Sequence, residues 1–408
     1  MEHWPVQLSR SSGVVLHPTS LPSGRLDEDA YAFVDWLQAA GQSWWQVLPL
    51  GPPDDVGSPY ASVSTFAAWN GFLAEPSAGV TTAECASFRE RNAYWAPAWE
   101  AAGGELADQV RFEREWETLR EYARARGVRL IGDVPMYPAW DSVDHRSHAG
   151  LFLPGLVAGA PPDDLGPNGQ HWGNPVYDWT AVETDGYRWW IERLRRTFDL
   201  FDLTRIDHFR GFAAFWAIPE ESEDARDGEW MPGPGAAVFR AAEAELGPLP
   251  VIAEDLGLIT PDVEALRDEL GFPGMAVLLW AFEGPDDNPH RLANHRERQV
   301  VYTSTHDTDT LLGRFPASDP WDLVETALSS RAALSMIPAQ DVLGLGNDAR
   351  MNRPGEALGN WGWRLGPSEL TRELAAGLRV ATEATCRLPC KHTDGKDTGG
   401  KGTGRFRP

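Results

Sequence analysis

Eight short apolar runs recur along this 408-residue chain, and they constrain its fold more than any other feature. Several of the runs are nearly continuous rather than alternating, which is typical of parallel strands that helices cover. Stretches with apolar residues at helical spacing lie between several of them, and this alternation indicates a parallel α/β fold. The predicted strands span residues 12–20, 44–52, 128–137, 201–207, 251–257, 275–282, 300–307 and 336–344.

Three acidic residues stand at or near the ends of these runs: Asp207 in RIDHFRG, Glu254 in VIAEDLG and Asp307 in VYTSTHDTDT. A carboxylate at the end of a buried strand is costly unless the strand opens into a polar site. In a parallel barrel, active sites form at the carboxyl ends of the strands. Three such residues indicate glycoside chemistry, which needs one carboxylate as a nucleophile and one carboxylic acid as a proton donor.

Each of these motifs taken alone also fits a purely structural explanation. Arg205 precedes Asp207 by two residues, so both side chains point the same way. The two side chains form either a structural ion pair at a strand end or a catalytic pair in which the guanidinium of Arg205 keeps the nucleophile Asp207 ionised. His306 beside Asp307 is a potential metal ligand, but no other His or Cys has the spacing to complete a site. We therefore expect no metal and no cofactor.

The expected fold class is α/β, a (β/α)8 TIM barrel with inserted subdomains at the C-terminal face of the strands. We assign residues 1–380 to the catalytic barrel. A helical insertion is predicted at 53–127 after the second strand, and a substrate-groove insertion at 138–199 after the third. Residues 381–408 contain all the lysines of the chain among Gly and Thr, so we predict a disordered, atypical tail there.

The net charge of -24 disfavours nucleic acid and anionic lipid as partners. No apolar run approaches the roughly 20 residues that a membrane helix needs. The N-terminus lacks the pattern of a secretory signal. The three cysteines have neither disulfide-framework nor metal-ligand spacing, so we expect a cytoplasmic protein.

Taken together, these motifs resemble those of the 4-α-glucanotransferase family, also called amylomaltase or disproportionating enzyme. The resemblance extends over most of residues 12–380. It implies an enzyme that moves a segment of an α-1,4-glucan, such as a maltodextrin or a starch or glycogen fragment, to the 4-hydroxyl of glucose, maltose or a longer maltodextrin. The segments that carry it include GVVLHPTSLPSG, GSPYASVSTFAAWN, GDVPMYPAWDS, QHWGNPVYDW, RIDHFRGF, VIAEDLG, VYTSTHDTDT and GNWGWRL.

The resemblance also implies roles for individual residues. Asp207 would be the nucleophile that forms a covalent glucosyl intermediate, Glu254 the acid and base, and Asp307 the stabiliser of the transition state. A retaining mechanism would place the carboxyl groups of Asp207 and Glu254 about 5–5.5 Å apart. Tyr60 would stack against the sugar beside the cleavage point. The expected substrate-binding residues are Tyr60, Asp141, Gln170, Trp172, Arg205, His306 and Asn352.

Two alternatives stay open: an α-glucan hydrolase that uses the same carboxylates, and a non-catalytic glucan-binding protein. Transfer requires an acceptor sugar to outcompete water, and a loop at residues 164–172 is a candidate lid that would exclude water. The chain departs from the family pattern at Gly57, Ala61 and Thr308, where Asp, Gln and Asn are usual. These departures bear on acceptor binding and rate more than on the fold.

Overall fold

A computed structural model of the protein describes residues 8–162, 168–356 and 358–388. Its strands are β1 (Ser11–Val15), β2 (Trp44–Gln46), β3 (Arg129–Val134), β4 (Phe152–Ala160), β5 (Gln170–Tyr177), β6 (Leu203–Ile206), β7 (Ala214–Pro219), β8 (Glu229–Pro232), β9 (Val251–Ala253), β10 (Gly274–Val277), β11 (Gln299–Tyr302) and β12 (Leu334–Pro338). Eight parallel strands follow one another in the order β10-β11-β12-β1-β2-β3-β6-β9 and form a nearly closed barrel. The predicted (β/α)8 architecture is therefore confirmed.

Helices of different lengths surround the barrel strands and the loops between them. They are α1 (Glu28–Ala39), α2 (Thr82–Arg91), α3 (Ala96–Ala101), α4 (Leu106–Ala125), α5 (Val143–Ser147), α6 (Trp179–Thr184), α7 (Arg188–Leu200), α8 (Ala237–Leu246), α9 (Pro261–Leu270), α10 (Leu311–Arg314), α11 (Pro320–Ser329), α12 (Ala339–Val342) and α13 (Arg372–Ala384). In α4 the apolar stripe of Phe112, Trp116 and Leu119 is buried, as its helical spacing predicts. In the described part of the chain, no helix combines the length and apolar character needed to cross a membrane.

The interior of the barrel is filled by large apolar side chains from most of its strands. Because this packing closes the lumen, a polar site has to form at one end of the barrel rather than inside it. The buried lumen residues include Trp44, Ile131, Leu203, Ile252, Met275, Val300, Tyr302, Leu334 and Met336.

A second, four-stranded antiparallel sheet has the order β5-β4-β7-β8. Strand β4 lies between two partners, with Val157 opposite Pro175 on one side and Ile218 on the other. Strands β4 and β5 come from the segment after β3, and β7 and β8 come from the segment after β6. Both segments leave from the carboxyl ends of barrel strands, so this sheet extends the rim on which active sites form.

Each of the eight predicted strands continues past the carboxyl end of the observed strand, and the eighth, at 336–344, was wrong in its second half. Strand β12 ends at Pro338, and α12 begins at the next residue. Proline has no N–H to donate to a neighbouring strand, which favours the end of a strand at this position. The turn of helix that follows brings the polar side chain of Asp341 under the rim of the barrel.

The predicted tail at 381–408 begins too early. Helix α13 continues to Ala384, and Arg387 beyond it is fully buried. All five N–H donors of the guanidinium can be satisfied there, because it donates five hydrogen bonds to backbone carbonyls below the barrel. These carbonyls belong to Ser11, Leu328, Ser330, Ala332 and Ala333. Residues 389–408 lie outside the described residues.

Candidate active site

Asp207 follows the carboxyl end of β6, where its backbone N–H donates to the Val134 carbonyl of β3 (2.9 Å). Its side chain is 28% exposed, and Oδ1 accepts a hydrogen bond from Arg205 Nη2 (2.6 Å). A charge-assisted bond of this kind orients a carboxylate and favours its anionic form. Asp207 is therefore an accessible carboxylate with a fixed orientation.

A fourth acidic residue, Asp133 on β3, holds the other side of Arg205. Its carboxylate accepts two hydrogen bonds from Arg205 Nη1 (2.8 and 2.9 Å) and one from the Tyr60 hydroxyl (2.7 Å). Burial raises the pKa of Asp133 to about 6, although the charge of Arg205 opposes this. Burial would lower the pKa of Arg205, but the charges of Asp133 and Asp207 outweigh it and raise that pKa well above its usual value.

Asp133 was not among the residues predicted from the sequence. It lies inside the predicted strand 128–137, in the segment GDVPMY. The rule that identified Asp207 and Glu254 selected acidic residues at the ends of the runs, and the predicted strand continued past Asp133 to residue 137. In the structure β3 ends at Val134, so Asp133 lies next to the end of the strand, where its fully buried carboxylate needs a partner charge inside the protein.

Glu254 follows β9, the strand that pairs with β6. It is 9% exposed, and its two carboxyl oxygens accept hydrogen bonds from the backbone N–H groups of His208 (2.6 Å) and Leu256 (3.0 Å). Burial raises the pKa of Glu254 to about 8, and the negative charge of Asp207 adds to this effect. At neutral pH Glu254 is therefore mainly a carboxylic acid beside the carboxylate of Asp207.

Asp307 lies in the loop after β11. His306 Nε2 is 3.0 Å from its Oδ2, and Asn352 Nδ2 donates to its Oδ1 (2.6 Å). Burial alone would raise the pKa of Asp307, but the charge of His306 and these hydrogen bonds lower it to about 2. In return, Asp307 raises the pKa of His306 although burial opposes this. The site thus holds an ionised carboxylate between an imidazole ring and an amide.

The loop that carries Asp307 is fastened at both ends by the buried carboxylate of Asp341 on α12. Its Oδ2 accepts hydrogen bonds from the hydroxyls of Thr303 and Ser304 (both 2.6 Å), and its Oδ1 accepts from the Leu311 N–H (2.8 Å). Inside the loop, the Thr308 hydroxyl accepts a hydrogen bond from the Thr305 N–H (2.9 Å). Thr308, one of the departures from the family pattern, therefore stabilises the turn from within.

Aromatic rings form one wall beside these carboxylates. The ring of Tyr60 stacks on His306, with centroids 4.9 Å apart and planes 14° from parallel. Its hydroxyl is fixed by Asp133, so the orientation of the ring is set from both sides. Such a ring suits the apolar C–H face of a sugar.

The structure brings most of the other predicted residues to this site as well. Trp172 Nε1 donates to Gln170 Oε1 (3.0 Å), and the Trp172 ring packs edge-on against His208, the neighbour of Asp207. Asp141 is exposed, and among the described residues no hydrogen bond or ring contact joins it to the group. The candidate lid at 164–172 lies partly outside the described residues.

Comparison with known proteins gives one consistent family. The family model described as 4-alpha-glucanotransferase matches residues 16–93, 96–319 and 314–369. The chloroplastic/amyloplastic 4-alpha-glucanotransferase of Arabidopsis thaliana is 38% identical over 469 residues, covering 87% of this chain and 81% of the relative. The 4-alpha-glucanotransferase of Thermus thermophilus is 37% identical over 501 residues, covering 94% of this chain and 100% of the relative.

A solved structure of amylomaltase from Streptococcus agalactiae in complex with acarbose is similar to this chain with a TM-score of 0.86 and 28% identity. The match covers 93% of this chain and 100% of the amylomaltase. The alignment with the Thermus relative runs over 501 residues whereas this chain has 408, so the relative carries segments that this chain lacks. The matched ranges nevertheless include every carboxylate of the site, and the chain belongs to the 4-alpha-glucanotransferase family of glucan-transferring enzymes.

Proposed function

We propose that Asp207, Glu254 and Asp307 carry out a retaining, double-displacement transfer of α-1,4-linked glucosyl segments. The observation that supports this most strongly is the contrast between two neighbouring carboxyl groups. Asp207 is ion-paired with Arg205 (2.6 Å), whereas burial raises the pKa of Glu254 to about 8. Double displacement at a sugar needs this division between a carboxylate nucleophile and a carboxylic acid.

In the first step the carboxylate of Asp207 attacks the anomeric carbon of the donor sugar. Because Arg205 binds Oδ1, we assign the attack to Oδ2. The bond from the anomeric carbon to the glycosidic oxygen breaks, and Glu254 gives its proton to that oxygen. The products are a glucosyl ester on Asp207 and a released segment with a free 4-hydroxyl.

In the second step Glu254, now a carboxylate, takes the proton from the 4-hydroxyl of an acceptor. The acceptor oxygen bonds to the anomeric carbon, and Asp207 leaves as a carboxylate. Two inversions retain the α configuration, and a retaining enzyme places the two carboxyl groups about 5–5.5 Å apart. A raised pKa suits Glu254 for both tasks, because the group has to give and take a proton near neutrality.

The surrounding residues are assigned to the transition state and the glucan groove. Asp307, with a pKa of about 2, would stabilise the oxocarbenium-like transition state through its negative charge. Tyr60 would support the apolar face of the same sugar. To the groove we assign Asp141, Gln170, Trp172, Arg205, His306 and Asn352.

Maltotriose tests the proposal. Transfer yields glucose together with a ladder of longer oligomers, whereas hydrolysis yields glucose and maltose without longer products. The hydrolase alternative is correct if longer oligomers are absent, and the binding-protein alternative is correct if maltotriose binds and no product forms. Chromatography of a time course separates the three outcomes.

Two variants with a matched control test the assigned roles. Glu254→Gln should lose transfer by about 10²–10⁴-fold, since a general acid contributes that much, and Asp207→Asn should lose at least as much. Asp202→Asn is the control and should leave transfer unchanged, because Asp202 is ion-paired with Arg120 and accepts from the Leu130 N–H at the amino end of β6, away from the site. Transfer that is undiminished in Glu254→Gln would refute the assignment of the proton donor.

We also propose a cytoplasmic location. Cys85 and Cys386 are free thiols, and free thiols suit a reducing compartment. Fractionation of the source cells followed by an activity assay tests this, and activity recovered outside the cytoplasmic fraction would contradict it.

A further inference from the structure

Trp361 has a backbone conformation that bulky residues rarely adopt. Its φ is 62°, in the left-handed region where a Cβ is crowded by the neighbouring carbonyl. Such a conformation persists when the surrounding structure holds it, and it is enriched at functional sites. A glycine would take this conformation without strain.

Hydrogen bonds around Trp361 hold the strained turn. The Trp361 N–H donates to the Met351 carbonyl (2.6 Å). The side chain of Asn360 accepts from the Arg353 N–H (2.9 Å) and donates to the Glu356 carbonyl (2.7 Å). The turn is therefore tied to the segment that also carries Asn352, the partner of Asp307.

The strained backbone presents the indole to the aromatic wall of the active site. The Trp361 ring lies 5.8 Å from the ring of Tyr60 and 6.1 Å from that of His306. It is half-buried, so part of its surface still faces solvent. Gly57 passes beside it, where an added Cβ would lie 3.8 Å from Trp361 Cβ. Because residue 57 is glycine, it places no side chain against Trp361 Cβ.

We propose that Trp361 is a sugar-stacking platform that binds a glucose residue next to the one in contact with Tyr60. It thereby makes the affinity of the enzyme depend on glucan length. The inference rests on the proposed function of the site. The ring offers a flat apolar surface to the C–H face of a pyranose. The strained left-handed backbone of Trp361 is needed to hold the ring at this position.

Trp361→Gly distinguishes an effect on glucan binding from an effect on folding. It removes the indole ring, and it also relieves the backbone strain, so the fold itself should not be destabilised. With maltoheptaose we expect KM to rise about tenfold, equivalent to about 1.4 kcal/mol of binding, and Tm to stay within a few degrees of the wild type. The matched control is Ser368→Gly, which relieves an equally unusual φ of 68° at an exposed position. This control should leave KM unchanged.

A second pair of variants keeps the strain and changes only the ring. Trp361→Phe should hold KM close to the wild type, whereas Trp361→Leu should raise it as Trp361→Gly does. Equal KM values for Phe and Leu would overturn the inference, as would an unchanged KM in Trp361→Gly.

Binding to an inactive background distinguishes this inference from the proposed function. In Asp207→Asn, calorimetry with maltoheptaose measures Kd without turnover. Adding Trp361→Gly should weaken Kd about tenfold, and an unchanged Kd refutes the platform. A wild-type enzyme that forms no transfer products refutes the proposed function instead, and the calorimetric comparison then still decides the role of Trp361.

Discussion

Replacing Asp133 by Asn tests whether the nucleophile depends on a guanidinium held between two carboxylates. Asp133 has no exposed side-chain surface and accepts three hydrogen bonds, two from Arg205 and one from Tyr60. Removing one partner of a buried ion pair costs about 3–5 kcal/mol. Asn keeps the shape and one acceptor oxygen, so we expect the free energy of unfolding to fall by about 3 kcal/mol. For a chain of this size this lowers Tm by roughly 3–4 °C.

Activity should fall as well as stability. Without the charge of Asp133, the charge of Arg205 is neutralised by Asp207 alone, and this stronger attraction makes the carboxylate of Asp207 a weaker nucleophile. Tyr60 also loses the acceptor that fixes its ring. Since small misplacements of reacting groups cost about 10²-fold, we expect kcat/KM on maltotriose to drop by about that factor.

The pH profile gives a readout that a purely structural role would not change. The pKa of Asp133 is raised to about 6, so its charge is lost as pH falls through that value. Wild-type kcat/KM should therefore decline on the acid side near pH 6, and Asp133→Asn should lack this limb. Asp202→Asn is the control, because it also breaks a largely buried ion pair, with Arg120, but at the opposite end of β6 from Asp207. The reasoning is wrong if the two variants show the same decrease in Tm and also the same kcat/KM.

Three further outcomes are expected. Because Glu254 acts as an acid with a pKa of about 8, kcat/KM should fall tenfold per pH unit above that value, and a limb beyond pH 10 contradicts its role. Asp341→Asn should lower kcat about tenfold, because the loop that carries Asp307 becomes more mobile. Unchanged kinetics would show that this loop keeps its conformation without Asp341. Arg387→Met should lower the free energy of unfolding by about 3–5 kcal/mol in denaturant titrations without altering KM, and a stability within error of the wild type refutes its role as a clamp.

The eight barrel strands could be predicted because a parallel strand buried on both faces is a run of apolar residues. The second sheet could not, because β4 and β5 contain Gly and Pro, and each has a stretch of exposed or half-buried residues and a stretch of buried ones instead of the alternation that identifies a strand. Strand β4 also pairs with β7, where Val157 lies opposite Ile218, a residue far along the chain. Long-range pairing of this kind is set by tertiary packing rather than by local propensity.

The active site was predictable to the extent that its residues occur at strand ends. Asp207, Glu254 and Asp307 came from that rule, whereas Asp133 meets it only once the observed end of β3 at Val134 is known. The strained conformation of Trp361 could not be foreseen, since nothing in GNWGWRL distinguishes a left-handed Trp from an extended one. Arg387 was missed for a different reason. A lone Arg in a polar segment is usually exposed, and only the folded barrel supplies the five carbonyls that bury it.

The position of Arg387 has a consequence for how the enzyme is made. The barrel is completed when β1 pairs with β12, at Ser11 opposite Leu334, and Arg387 then bonds to the carbonyls of both Ser11 and Ala333. Until β12 has been synthesised, the edge of β1 that pairs with it has no partner. Such unpaired strand edges are prone to associate with other chains. The pairing of β1 with β12 therefore cannot form before β12 has been synthesised, and the hydrogen bonds of Arg387 that join the two strands form later still.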